Sequence, residues 1–214
     1  MSAQGAEPLY VFGYGSLVFS PECPDALVGR QHALLRGHRR CFNKRSGPRA
    51  CAAEDRGWPE LEGLVPPEFR SPHSLALGTL PGGAMSGVLL AYDPGAGPRL
   101  FERLDRREGV DLQAPRPQWS YRRERVSVSV PGGTVQAWTY LSNPGGHWHV
   151  EELEADMVIR ILLHATPRLR QARAYGVDYL LDTARALRDE GLEAPGLDAL
   201  VQRLPTEVHA RRRP

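Results

Sequence analysis

Residues 121–130 read YRRERVSVSV and residues 134–141 read TVQAWTYL, with a Pro-Gly-Gly turn between the two runs. Val126, Val128 and Val130 alternate with polar residues. That period of two belongs to a strand with one buried face. The turn and the returning β-rich run make this the clearest hairpin in the sequence. It commits the chain to an antiparallel β component.

The first part of the chain adds strands to it. Residues 9–12 are a short apolar strand, residues 32–46 a second with polar interruptions, and residues 86–92 a third. Residues 47–80 are rich in Pro and Gly and read as one long loop, a length that is unusual unless the loop is functional. One helix interrupts the strands. In GPRLFERLDRREG, Leu100, Phe101 and Leu104 share a face, and Gly109 is the expected C-terminal cap. After Gly146 the pattern turns helical. Val150, Leu153, Met157 and Ile161 recur at helical spacing, DYLLDTARALRDEGL repeats the pattern with Gly191 as its stop, and GLDALVQRL supplies a short last helix. Strands first and helices last predict an α+β fold. With 214 residues and no long polar linker, a single domain spanning 1–214 is expected, its helical C-terminal part covering about 149–205.

Composition excludes several function classes. Net charge is +2, and Lys44 is the single lysine among 27 basic residues. No basic helix or aromatic-studded groove marks a nucleic-acid surface, so no nucleic-acid partner is expected. No apolar run reaches the roughly 20 residues of a membrane span. The first ten residues lack a signal-peptide pattern, which leads to the expectation of a cytoplasmic protein without a membrane partner. Cys23, Cys41 and Cys51 form no C-x-x-C pair and signal neither a disulfide framework nor zinc. His147 and His149 could share a metal on a strand, but their flanks favour a loop and no third ligand has motif spacing. No metal site is assigned.

Two features carry chemistry. Glu108 lies in line with Leu100 and Leu104 at i, i+4 and i+8, which points it along the apolar face of its helix. Burial there and the electronegative helix end both favour the protonated carboxyl. Arg106 and Arg107 are expected to leave from other faces. Such a glutamate suits general base and then general acid work. The spacing alone favours a surface glutamate at the helix end paired to an arginine. The second feature is FGYGSL, where Gly13 and Gly15 permit positive φ and close backbone approach, and Ser16 adds a hydroxyl. Successive N–H groups in such a turn can hold a carboxylate or phosphate. The loop lacks the lysine of a Walker loop and does not complete G-x-G-x-x-G, so alone it reads rather as a tight turn.

VFGYGSLVFSP, LDRRE, the strand containing Tyr140, and YGVDYLLDTARALRDEGL together resemble the ChaC-type, glutathione-specific γ-glutamylcyclotransferases. The family signature, Y-G-S-L after the first strand and a glutamate in R-E at a helix end, falls on Tyr14, Gly15, Ser16, Leu17 and Glu108. The resemblance implies a mixed β-barrel core with flanking helices. It implies a reaction in which the α-amine of a γ-glutamyl group attacks its own γ-carbonyl, releasing 5-oxoproline. With glutathione the other product is Cys-Gly. No cofactor or metal is implied. Glu108 is then the general acid/base. Tyr14, Gly15, Ser16 and Leu17 hold the substrate with Tyr140, a tyrosine on a late strand. Arg39 and Arg40 could neutralise a substrate carboxylate, one of them facing solvent. Residues 43–80 and the stretch after Glu108 depart from the family pattern. That leaves another γ-glutamyl amine or amino acid as an alternative substrate. A non-catalytic module binding γ-glutamyl or other carboxylate ligands is a further alternative.

Overall fold

The computed structural model describes residues 7–46, 66, 69, 74–165, 176–206 and 208. It contains strands β1 (Leu9–Gly13), β2 (Leu27–Ser46), β3 (Ser74–Tyr92), β4 (Tyr121–Val130) and β5 (Gly133–Ser142). The helices are α1 (Gly97–Glu108), α2 (Ala155–His164), α3 (Gly176–Asp189) and α4 (Pro195–Gln202). The strands close a barrel in the order β1-β3-β2-β4-β5. The α+β class and the barrel core with helices are therefore observed.

The hairpin read from the alternating valines is β4–β5, antiparallel from Tyr121↔Ser142 to Val130↔Gly133. Its turn places Gly132 at φ 93°, a conformation that suits glycine. β1 runs antiparallel to β3, Leu9 opposite Tyr92 and Gly13 opposite Val88. The barrel closes where β1 meets β5 in parallel at Val11↔Trp138. Thr139 Oγ1 reinforces that seam by donating to the Phe12 carbonyl oxygen at 3.0 Å.

Two strands are longer than their sequence suggests. β2 begins at Leu27, and β3 at Ser74, inside the stretch read as a loop. β3 continues through Pro81–Gly83, where Gly82 and Gly83 take φ of 89° and 72° and let the strand bend without ending. Residues 47–65, 67, 68 and 70–73 of that stretch lie outside the described residues.

The chain divides into two compact units, Met1–Arg40 with Thr79–His147, and Cys41–Gly78 with Trp148–Pro214. In the first, Val11, Phe12, Val88, Leu90, Leu100, Leu104 and Val128 are completely buried. The second holds α2, α3 and α4, packed through Ile161, Leu162, Leu180 and Leu187, with Phe42 edge-on to Tyr179. α2 starts at Ala155, later than the periodicity from Val150 suggests. The Val150 N–H instead donates to the Asn43 carbonyl oxygen, and His149 bridges to Lys44. Among the described residues no group of His, Cys, Asp or Glu could hold a metal ion, and no helix is long and apolar enough to cross a membrane.

Candidate active site

α1 follows from local sequence. Asp93 Oδ1 accepts the Gly95 N–H at 2.7 Å in the turn that leads in. Leu100 and Leu104 then turn one stripe inward, each burial stabilising by roughly 1.5–3 kcal/mol. Gly109 ends the helix at φ 65°, ψ 41°, its N–H returning to the Asp105 carbonyl oxygen. The same stripe carries Glu108, whose side chain is 15% exposed. Phe101 packs edge-on to Trp138 at 5.5 Å, so α1 lies on the β5 face that also carries Tyr140.

The expectation that both helix-end arginines leave from other faces holds for Arg106 alone. Arg106 pairs with Glu102 on the exposed side. Arg107 turns back along the site, with Nε 3.4 Å from Glu108 Oε1. Its Nη2 donates to Ser16 Oγ at 2.9 Å, and its Nη1 donates to the Ser20 carbonyl oxygen at 2.6 Å and to Glu22 Oε1 at 3.0 Å. The physical reason is opposite charge: one guanidinium fork reaches both the Glu22 and the Glu108 carboxylates. Ser16 thus accepts from Arg107 through its oxygen, and its own proton is left to donate elsewhere.

The opening turn is built differently from the expected positive-φ glycines. Neither Gly13 nor Gly15 has positive φ. Gly15 sits at φ −134°, ψ −128° before the short 3-10 turn Ser16–Val18. Gly13 is needed for closeness: a Cβ there would lie 2.9 Å from the Leu17 Cβ. Gly87 on β3 serves the same end, since its Cβ would lie 2.4 Å from the Gly13 carbonyl oxygen. Leu17 itself is buried in the core.

Tyr14 and Tyr140 are brought together directly. The Tyr14 hydroxyl donates to the Tyr140 carbonyl oxygen at 2.5 Å. The Tyr140 hydroxyl donates to Asp105 Oδ1 at 2.7 Å, and Asp105 Oδ2 accepts from Arg123 Nη1 at 2.7 Å. Arg123 in turn lies over the Phe101 ring at 4.6 Å. Burial, together with the Asp105 carboxylate and the Glu108 charge, pushes the Tyr140 phenol far above its ordinary pKa. Tyr140 is therefore a neutral hydroxyl whose one proton is committed to Asp105, and its oxygen is an acceptor.

The structure thus joins Tyr14 to Tyr140 by a hydrogen bond and Ser16 to Glu108 through the hydrogen bond and ion pair of Arg107, with Gly15 between Tyr14 and Ser16. Sequence reasoning gave no role to Asp105, Arg107 or Arg123. Asp105 could have been found, because i, i+3 spacing puts it on the Glu108 face of α1. Arg107 and Arg123 are recognisable only once β1, β4 and α1 are assembled.

No family model matches the chain, and no curated protein matches it. Solved structures do. A selenomethionine-labelled γ-glutamylcyclotransferase specific to glutathione, from yeast, superposes at a TM-score of 0.61 with 16% identity, over 92% of this chain and 95% of that one. A second yeast structure of the same description gives 0.60 and 16%, over 91% and 96%. The protein YkqA from Bacillus subtilis gives 0.49 and 17%, over 92% of this chain and 54% of its own. The chain has the γ-glutamylcyclotransferase-like fold.

Proposed function

We propose that the protein is a γ-glutamylcyclotransferase that converts glutathione to 5-oxoproline and Cys-Gly. The observation that carries the proposal is the Arg107 bridge, which ties the Glu108 carboxylate to the Ser16 hydroxyl beside the Tyr14–Tyr140 contact. The fold shared with the yeast enzymes supports the same reading.

The reaction needs little equipment. The α-amine must lose a proton, attack the γ-carbonyl carbon, and form the C–N bond of a five-membered lactam. The original γ-amide C–N bond then breaks, and the departing nitrogen takes a proton. One carboxylate between the two nitrogens can accept the first proton and return it to the second. Glu108 is assigned that role. The Tyr140 oxygen, its proton held by Asp105, can accept an N–H of the attacking amine and hold it in place. The Ser16 hydroxyl and the backbone amides of the Tyr14–Leu17 turn are the donors for the carboxylate and carbonyl oxygens of the γ-glutamyl group. Holding amine and carbonyl in near-attack geometry is the larger share of the work.

Incubation with glutathione is expected to release 5-oxoproline, and Glu108→Gln to abolish the release while leaving the thermal midpoint close to wild type. Undiminished turnover by that variant would remove Glu108 from the mechanism. A panel of other γ-glutamyl amines and amino acids, run in parallel, sets the substrate: a clear preference for one of them over glutathione replaces the leaving group and keeps the chemistry.

A further inference from the structure

Arg40 on β2 spans three neighbouring strands. In the order β1-β3-β2 its guanidinium crosses β3, donating through Nη2 to the Ser86 carbonyl oxygen. It then reaches the turn after β1, donating through Nε to the Tyr14 carbonyl oxygen at 2.8 Å. Arg39, the adjacent residue, is exposed, as alternation along a strand requires. Among the described residues no carboxylate pairs with Arg40. Burial lowers its pKa to about 10, against the Tyr14 phenol, so it remains a cation at neutral pH. A desolvated guanidinium without a counter-ion is costly to place. This one is held by two main-chain oxygens.

The consequence lies in the next peptide group. A trans peptide is planar, and its C=O and N–H point in opposite directions. Drawing the Tyr14 carbonyl toward Arg40 therefore turns the Gly15 N–H away from it. No hydrogen bond among the described residues takes up that N–H. Glycine at position 15 gives the chain little steric reason to prefer one orientation of this plane, so an outside contact must set it.

We propose that Arg40 is a positioning residue that locks the Tyr14–Gly15 peptide plane and so presents the Gly15 N–H as a preset donor to the γ-glutamyl group. The proposal rests on the cyclotransferase reading. A preset donor needs no reorganisation when the substrate arrives, which is where such groups gain their effect. Lysine is a poor substitute, because one ammonium lacks the planar fork that serves Tyr14 and Ser86 together.

The test combines kinetics with amide NMR on Arg40→Met and Arg40→Lys. In Arg40→Met, kcat/KM is expected to fall by about a hundredfold, the scale set by small misplacements of a reacting group. The Gly15 amide peak should be displaced and should no longer respond to added 5-oxoproline, while the remaining spectrum stays dispersed. Arg40→Lys should fall between Arg40→Met and wild type, and it carries the test alone if the methionine variant does not fold. Folded variants with kcat/KM within about twofold of wild type, or with a Gly15 peak that answers 5-oxoproline as before, overturn the role of Arg40. A wild-type protein that forms no 5-oxoproline from any γ-glutamyl compound overturns the reading of function instead.

Discussion

A carboxylate with the role proposed for Glu108, taking a proton from one nitrogen and returning it to another, has to stay in one place between the two events. Glu108 stands at a helix end, where side chains ordinarily have room to wander. Arg107 restrains it by an ion pair, and the same guanidinium pairs with Glu22 and donates directly to Ser16 Oγ and the Ser20 carbonyl oxygen of the opening turn. Arg107→Met is expected to lower kcat/KM for 5-oxoproline formation by about tenfold or more through lost positioning. Far-UV circular dichroism should stay unchanged, since the residue is on the last turn of α1. A variant with wild-type kinetics would reduce Arg107 to a surface ion pair. Legibility at this scale was uneven for a physical reason. Tyr14, Ser16 and Glu108 could be singled out because their neighbours in the chain mark them: glycines on one side, an apolar helical stripe on the other. Arg40 and Arg107 act on carbonyl oxygens of Ser86, Tyr14 and Ser20, and a main-chain oxygen leaves no trace in the sequence.

Among the elements, α1 was the easiest to read and is the one on which the site depends most. Its buried stripe, its entry turn and its glycine stop are all local signals. The stop is also tight. At Gly109 an alanine Cβ would lie 2.6 Å from Ser120 Oγ, in a residue already at φ 65°. Gly109→Ala should cost about 1–2 kcal/mol from the left-handed backbone alone. The measurement is a urea midpoint, and it should be accompanied by a drop in activity as the last turn and Glu108 shift; equal stability would show that the helix end relaxes freely. The strands were less legible where long-range pairing overrides local pattern. Pro81–Gly83 has the composition of a turn, yet β3 passes through it, lying between β1 and β2 in the barrel, with Gly82 and Gly83 taking the positive φ. Residues 150–154 carry a helical stripe, but the Val150 N–H is taken by Asn43 and the helix waits until Ala155.

For the whole molecule, the interior phenols set an upper limit of pH. Burial pushes Tyr92 up to about 12, with Cys23 and Glu22 adding to it, and raises Tyr140 as well. A phenol whose folded pKa exceeds its unfolded value contributes stability that is fully present below about pH 10, the unfolded value, and lost as pH climbs through the folded one. Unfolding is therefore expected to set in above pH 10, with Tyr92 and Tyr140 ionising together with loss of structure. Absorbance at 295 nm followed beside circular dichroism reads this directly. Complete titration of all tyrosines near pH 10 in a still folded protein would contradict it.

The seam between β1 and β5 has a temporal meaning as well as a spatial one. Tyr14 and Tyr140, which meet across it, are 126 positions apart. A ribosome adding roughly 5–20 residues per second delivers the second tyrosine about 6–25 s after the first. Once β3 has been made β1 can pair with it, but until β5 follows the nascent chain has no strand with which to shut the barrel. The opening turn therefore waits through most of the synthesis of the strands, and the proposed activity can begin only after the last strand has been made.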